Sequence, residues 1–190
     1  MKVRRGPQRG PVFGLQRKTV FVVPPEMPKA EDLFSYGFVL PHAYAMNHPV
    51  LESIRAGYPD NPLVVVYSRI CNLTPDLARI LYREFEGDSR FSDLVSNAAM
   101  GPSNHFLVYG KGVVHRLKEM AGDRDPKKAK EGTLRRKFGV TEVKNAVYVA
   151  DSPEDAMWKM TLVLGSLREI AESIGDCRDA LFRWYVPEAS

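Results

Sequence analysis

Between Asn145 and Asp155 the sequence passes from a strand to a helix within a few residues, and that passage limits what the chain can fold into. Asn145 to Val149 is a short β-branched and aromatic run and reads as a strand. Ser152-Pro153-Glu154-Asp155 follows almost at once, with a hydroxyl to cap a helix, a proline for its first turn and acidic groups for its positive end. The helix is predicted to run to about Leu164, with Ala156, Met157, Met160 and Leu164 as its apolar members.

The same logic recurs upstream. Leu63 to Ile70 reads as a buried strand, and Thr74-Pro75-Asp76 then opens a helix through Phe85 whose inward stripe is Leu77, Ile80 and Leu81. Further helices are predicted over 49–56, 91–99 and 111–120, and strands over 104–109 and 19–23. The stretch 26–48, with Pro28, Gly37 and Pro41, reads as an irregular insertion. Few strands alternating with helices predict an α+β fold: a four-stranded antiparallel sheet of ferredoxin-like type with helices on one face.

Charge divides the chain. Residues 1–25 carry six basic side chains and no acidic one, so against a formal net charge of +4 the remainder sums to −2. The basic residues share residues 1–18 with Gly6, Pro7, Gly10, Pro11 and Gly14, a composition suited to an arm that orders against an anionic surface. Residues 19–190 would form the globular domain. No apolar run is long enough for a membrane span, and no recognition-helix or zinc signature supports sequence-specific DNA binding. Cys71 and Cys177 lack redox or zinc spacing and read as reduced thiols of an intracellular protein. His42, His48, His105 and His115 make no metal-ligand pattern.

The segment 110–156 closely resembles the nucleoside diphosphate kinase family. The resemblance is carried by Asp125-Pro126, Gly132-Thr133-Leu134-Arg135, Phe138, Asn145, Asp151-Ser152, Glu154 and Ala156, with Tyr82, Phe91, Leu94-Val95 and Gly101-Pro102 upstream. It extends over about residues 19–188. The family transfers a phosphoryl group through a histidine three residues after the asparagine, and here that position is Tyr148. A phenol with an ordinary pKa near 10 is protonated at neutral pH and is a weaker nucleophile than imidazole. The resemblance also places Pro24 at the family lysine after the first strand, Ala150 at a small hydroxyl residue, Arg90 at the base-stacking aromatic and Arg124 at a threonine near the phosphates. Lys118 stands for an arginine, exchanging a fork for a point charge. Arg135 and Asn145 keep phosphate- and sugar-contact positions, although both also suit the loop's own hydrogen bonding.

These departures imply a family member without catalysis. Its vestigial nucleotide site would comprise Lys118, Arg124, Arg135 and Asn145, with no metal site and no cofactor beyond a residual Mg-nucleotide. The expected role is a structural subunit of a large assembly, tubulin favoured over RNA as the anionic partner, because degenerate domains of this family recur in axonemes. That implies a cytoskeletal location, without a membrane and without an assumed hexamer. The alternatives are a ribosomal subunit, with a mitochondrial location open, a regulatory nucleotide-binding module, and an active kinase passing phosphate from ATP to nucleoside diphosphates.

Overall fold

The structure is a computed structural model that describes residues 33–57, 63–165 and 167–174. The basic arm, the predicted strand over 19–23 and Cys177 lie outside the described residues.

Four strands, β1 (Phe34–Val39), β2 (Val64–Asn72), β3 (Pro102–Tyr109) and β4 (Val147–Val149), form an antiparallel sheet in the order β2-β3-β1-β4. The helices are α1 (Asn47–Ala56), α2 (Pro75–Leu81), α3 (Phe91–Ala99), α4 (Val113–Ala121), α5 (Leu134–Phe138), α6 (Pro153–Leu164) and α7 (Leu167–Ser173). Short 3-10 turns occupy Pro41–Met46 and Arg83–Phe85. The α+β architecture is the one expected from the sequence, but its helices lie on both faces of the sheet. Strand alternation explains why. Phe34, Tyr36 and Phe38 of β1 and Leu107 of β3 join one apolar cluster with Leu81, Val95, Met157 and Met160. Val39, Phe106 and Val108 point the other way, into a second cluster with Val50, Ile54, Val113 and Leu117 from α1 and α4.

The second correction concerns residues 26–48. Far from being irregular insertion, their described part holds β1, the strand that pairs with both β3 and β4. Gly37 interrupts its apolar pattern because the backbone runs too close to its neighbours for a side chain. A Cβ there would lie 2.7 Å from the Phe106 ring and 2.7 Å from the Tyr148 carbonyl oxygen. The residue after β1 is the buried Leu40, so the comparison that set Pro24 after the sheet's first strand does not hold.

Smaller differences have local causes. Strand β2 lies at the sheet edge, so Val64 and Ile70 are exposed rather than buried. The helix predicted through Phe85 ends at Leu81 and continues as a 3-10 turn, which leaves Ile80 on the outer side. The caps predicted at Thr74 and Ser152 form, whereas Asn47, expected to cap the helix over 49–56, lies inside α1. The Leu77 amide donates to Thr74 Oγ1 at 3.2 Å, and the Asp155 amide donates to Ser152 Oγ at 3.1 Å.

Candidate active site

A cavity of about 310 Å³ opens where β4 ends, between the α2–α3 connection and the loop after α4. Tyr148 lines it, as do Lys118, Arg124, Arg135 and Asn145, so the structure gathers all five residues singled out from the sequence.

The Tyr148 ring is fixed by aromatic packing. Phe38 stacks on it at 5.2 Å and 20°, while Tyr82 meets it edge-on at 5.8 Å and 89°. Its hydroxyl donates to Asp155 Oδ2 at 3.0 Å, with Glu84 Oε1 at 3.5 Å, and accepts a hydrogen bond from the Lys159 ammonium. Burial pushes the phenol well above its ordinary pKa, and the carboxylates of Asp155 and Glu84 push in the same direction. The resting group is therefore a neutral phenol.

Lys159 is fully buried on α6. Its three N–H donors meet three acceptors: Glu84 Oε1 at 2.5 Å, Asp155 Oδ1 at 3.0 Å and the Tyr148 oxygen. Asp155 is itself oriented, since its Oδ2 accepts from the Asp151 amide at 3.1 Å. Nucleophile-type oxygen, carboxylate and orienting groups stand in the relation that general-base activation needs.

The cations beside this cluster differ in how freely they can meet a ligand. Asp151 pairs with Lys118 at 2.8 Å and with Arg124 at 3.3 Å. Burial raises the Asp151 pKa, but the Lys118 hydrogen bond and the neighbouring positive charges outweigh it, so the carboxyl titrates below its ordinary value. Arg124 also lies over the Phe85 ring at 4.4 Å. Arg135 is buried and largely committed to the backbone. It donates to Gly122 O at 2.8 Å and, through Nε and Nη2, to Val147 O at 3.3 Å. Burial, assisted by Arg124, lowers its pKa to about 10, which still leaves it a cation at neutral pH. Arg90 is held side-on by Asp88 and reaches Glu142 on the far side of the mouth.

Sequence reasoning did not anticipate Asp155, Glu84 and Lys159 as partners of Tyr148. A signal was present for Lys159. It follows Ala156 by three residues and precedes Met160, which sets a lysine on the buried stripe of α6. Glu84 had no such signal, because only the fold brings it across 75 residues to Lys159.

A four-stranded antiparallel sheet flanked by helices, with a cavity lined by several cations at the end of β4, defines the class of α+β domain. The family model for nucleoside diphosphate kinase matches residues 38–168, and the chain belongs to that family. The kinase of Bdellovibrio bacteriovorus is 34% identical over 128 residues, covering 67% of this chain and 89% of that protein. That of Saccharolobus islandicus is 29% identical over 66% of this chain and 91% of its own length. Among solved structures, the nucleoside diphosphate kinase of Aquifex aeolicus superposes with a TM-score of 0.64 at 22% identity, covering 71% of this chain and 96% of that one. The kinase from Encephalitozoon cuniculi gives 0.66 at 20% identity, over 70% and 90%. The last two likenesses concern the fold.

These relatives correct the expectation that the protein is not an enzyme. Curated kinases at 29–34% identity point to an enzyme, and nothing in them supports the structural-subunit reading. The physical reason for the misjudgement lies in the site. A phenol considered alone is a poor nucleophile, but this one donates to a carboxylate, that of Asp155.

Proposed function

We propose that the protein is a phosphoryl-transfer enzyme acting on nucleoside di- and triphosphates, with Tyr148 as the group that carries the phosphate. The observation that carries this reading is that Tyr148 lines the basic cavity while its hydroxyl donates to Asp155 at 3.0 Å.

Lys118 and Arg124 attract the phosphates, Asn145 meets the sugar, and Arg135 holds the loop carrying them in place. Mg²⁺ arrives on the nucleotide as part of the substrate. In the first half-reaction the Tyr148 oxygen attacks the γ-phosphorus while its proton passes to Asp155. The bond from phosphorus to the β,γ-bridging oxygen breaks, and nucleoside diphosphate leaves. In the second, a terminal oxygen of another diphosphate attacks the phosphotyrosine, and Asp155 returns the proton to the phenol. The charge that develops is spread over groups already in place, which is where most of the acceleration in such reactions arises.

The test incubates purified protein with γ-labelled ATP and then with GDP. The expected result is acid-stable label on Tyr148 that GDP discharges, absent from Tyr148→Phe although that variant still binds nucleotide. Wild-type protein that binds nucleotide but neither acquires label nor makes GTP would refute the reading.

A further inference from the structure

Lys159 has no place in the scheme above, yet it is a fully buried cation in contact with the reacting oxygen. We infer that Lys159 is the positioning residue that makes Tyr148 usable, by donating to the phenol oxygen and neutralising the negative charge it gains during transfer. This inference rests on the reading of Tyr148 as the phosphate carrier.

The argument is one of charge placement. Before transfer the cluster holds the Lys159 ammonium, the Glu84 and Asp155 carboxylates and a neutral phenol, and the ammonium is 3.0 Å from Asp155 Oδ1. When the phenol proton moves to Asp155, the negative charge moves from that carboxylate to the phenol oxygen. Both sites touch the same ammonium, so the shift separates no charge from its partner. Apart from Lys159, every charged group acting on the phenol opposes its ionisation. Asp155, Glu84 and Asp151 act by their charge, and Tyr36 and Tyr82 contribute only neutral rings. Among the described residues, Lys159 is the one cation that donates to the oxygen.

The test has two arms. In the first, 3,5-difluorotyrosine, whose phenol ionises at much lower pH, is placed at position 148 and its ionisation is followed by absorbance without any nucleotide. Lys159→Met is expected to raise the midpoint by at least one pH unit, and Lys159→Arg to return it to within a few tenths of wild type. An unchanged midpoint in Lys159→Met overturns the inference. If the single variant does not fold, Lys159→Met/Glu84→Gln is compared with Glu84→Gln alone, and the same criterion applies to that pair. In the second arm, Lys159→Met in the unlabelled protein should lower kcat at least a hundredfold while the dissociation constant for nucleotide changes less than twofold. An equal loss in nucleotide binding would make Lys159 a fold residue and overturn the inference. Failure of wild type to form phosphotyrosine refutes the carrier reading instead, and the absorbance arm still reports on Lys159.

Discussion

Lowering the pH from 7 to 5 should destabilise this protein through one buried histidine, His105 on β3. The imidazole is fully buried between Tyr36 and Ser103, with Nδ1 2.5 Å from the Tyr36 oxygen and Nε2 2.7 Å from Ser103 Oγ. Ser103 Oγ in turn donates to the Cys71 carbonyl at 3.2 Å. One proton arrangement satisfies this chain: Tyr36 donates to Nδ1, Nε2–H donates to Ser103, and Ser103 donates onward. A second proton on the ring would face the Tyr36 hydroxyl donor to donor, and burial alone holds the imidazole down to a pKa of about 3. The unfolded histidine titrates near 6.5, so below that value the unfolded state binds the extra proton and the folded state does not. Stability is therefore fully present above about pH 6.5 and falls as the pH drops toward 3, by up to about 1.4 kcal/mol per unit. Between pH 7 and pH 5 the loss from this one site amounts to about 2 kcal/mol. Urea denaturation of wild type and His105→Gln at both pH values isolates it, because every other titrating group is common to the two proteins. Wild type should lose about 2 kcal/mol more than the variant over this interval. Equal losses would show that His105 is already protonated in the folded protein and that the proposed hydrogen-bond chain is wrong.

Two further contrasts separate binding from architecture. Arg135→Lys should cost about 2–3 kcal/mol in denaturation experiments, since a point charge cannot serve both Gly122 O and Val147 O from a buried position. Lys118→Ala, at a half-exposed ion pair, should change stability by no more than about 0.5 kcal/mol while weakening nucleotide binding and flattening its salt dependence. If Lys118→Ala instead unfolds the protein, or Arg135→Lys leaves it intact, the division of labour between the two cations is reversed. Gly37→Ala should lower stability by about 1–3 kcal/mol, since the added carbon meets a ring and a strand carbonyl that cannot both retreat. A melting temperature within a degree of wild type would mean that the strands part more easily than their packing implies.

Local chemistry announced the elements whose causes are local. The caps at Thr74 and Ser152, the helix over Phe91–Ala99 and the buried stripe of α6 all follow from residues within a few positions of one another. What the sequence concealed depended on partners far along the chain. Strand β1 looked irregular because Gly37 breaks its pattern, and the reason for that glycine is Phe106. The exposure of β2 follows from its place at the sheet edge, which no property of Val64 or Ile70 reveals. At the site, Tyr148, Lys118, Arg124, Arg135 and Asn145, the positions singled out by the family spacing, line one cavity. The partners of Tyr148 stayed hidden because Asp155 and Lys159 lie on the following helix, one and two turns along, while Glu84 lies across the fold.

Positions 148 and 159 are consequently not independent choices. An oxygen that must donate to a carboxylate and accept from an ammonium at once needs both a proton and a lone pair on the same atom, and a hydroxyl provides this. An imidazole nitrogen provides only one of the two in a given protonation state. With imidazole at 148, the nitrogen nearest Lys159 would have to accept, and protonation during the reaction would set two cations against each other in a site with little water to screen them. The aromatic alcohol and the buried lysine are thus matched to each other, and the identity of the residue at 148 has to be judged together with the charge that α6 places beneath it.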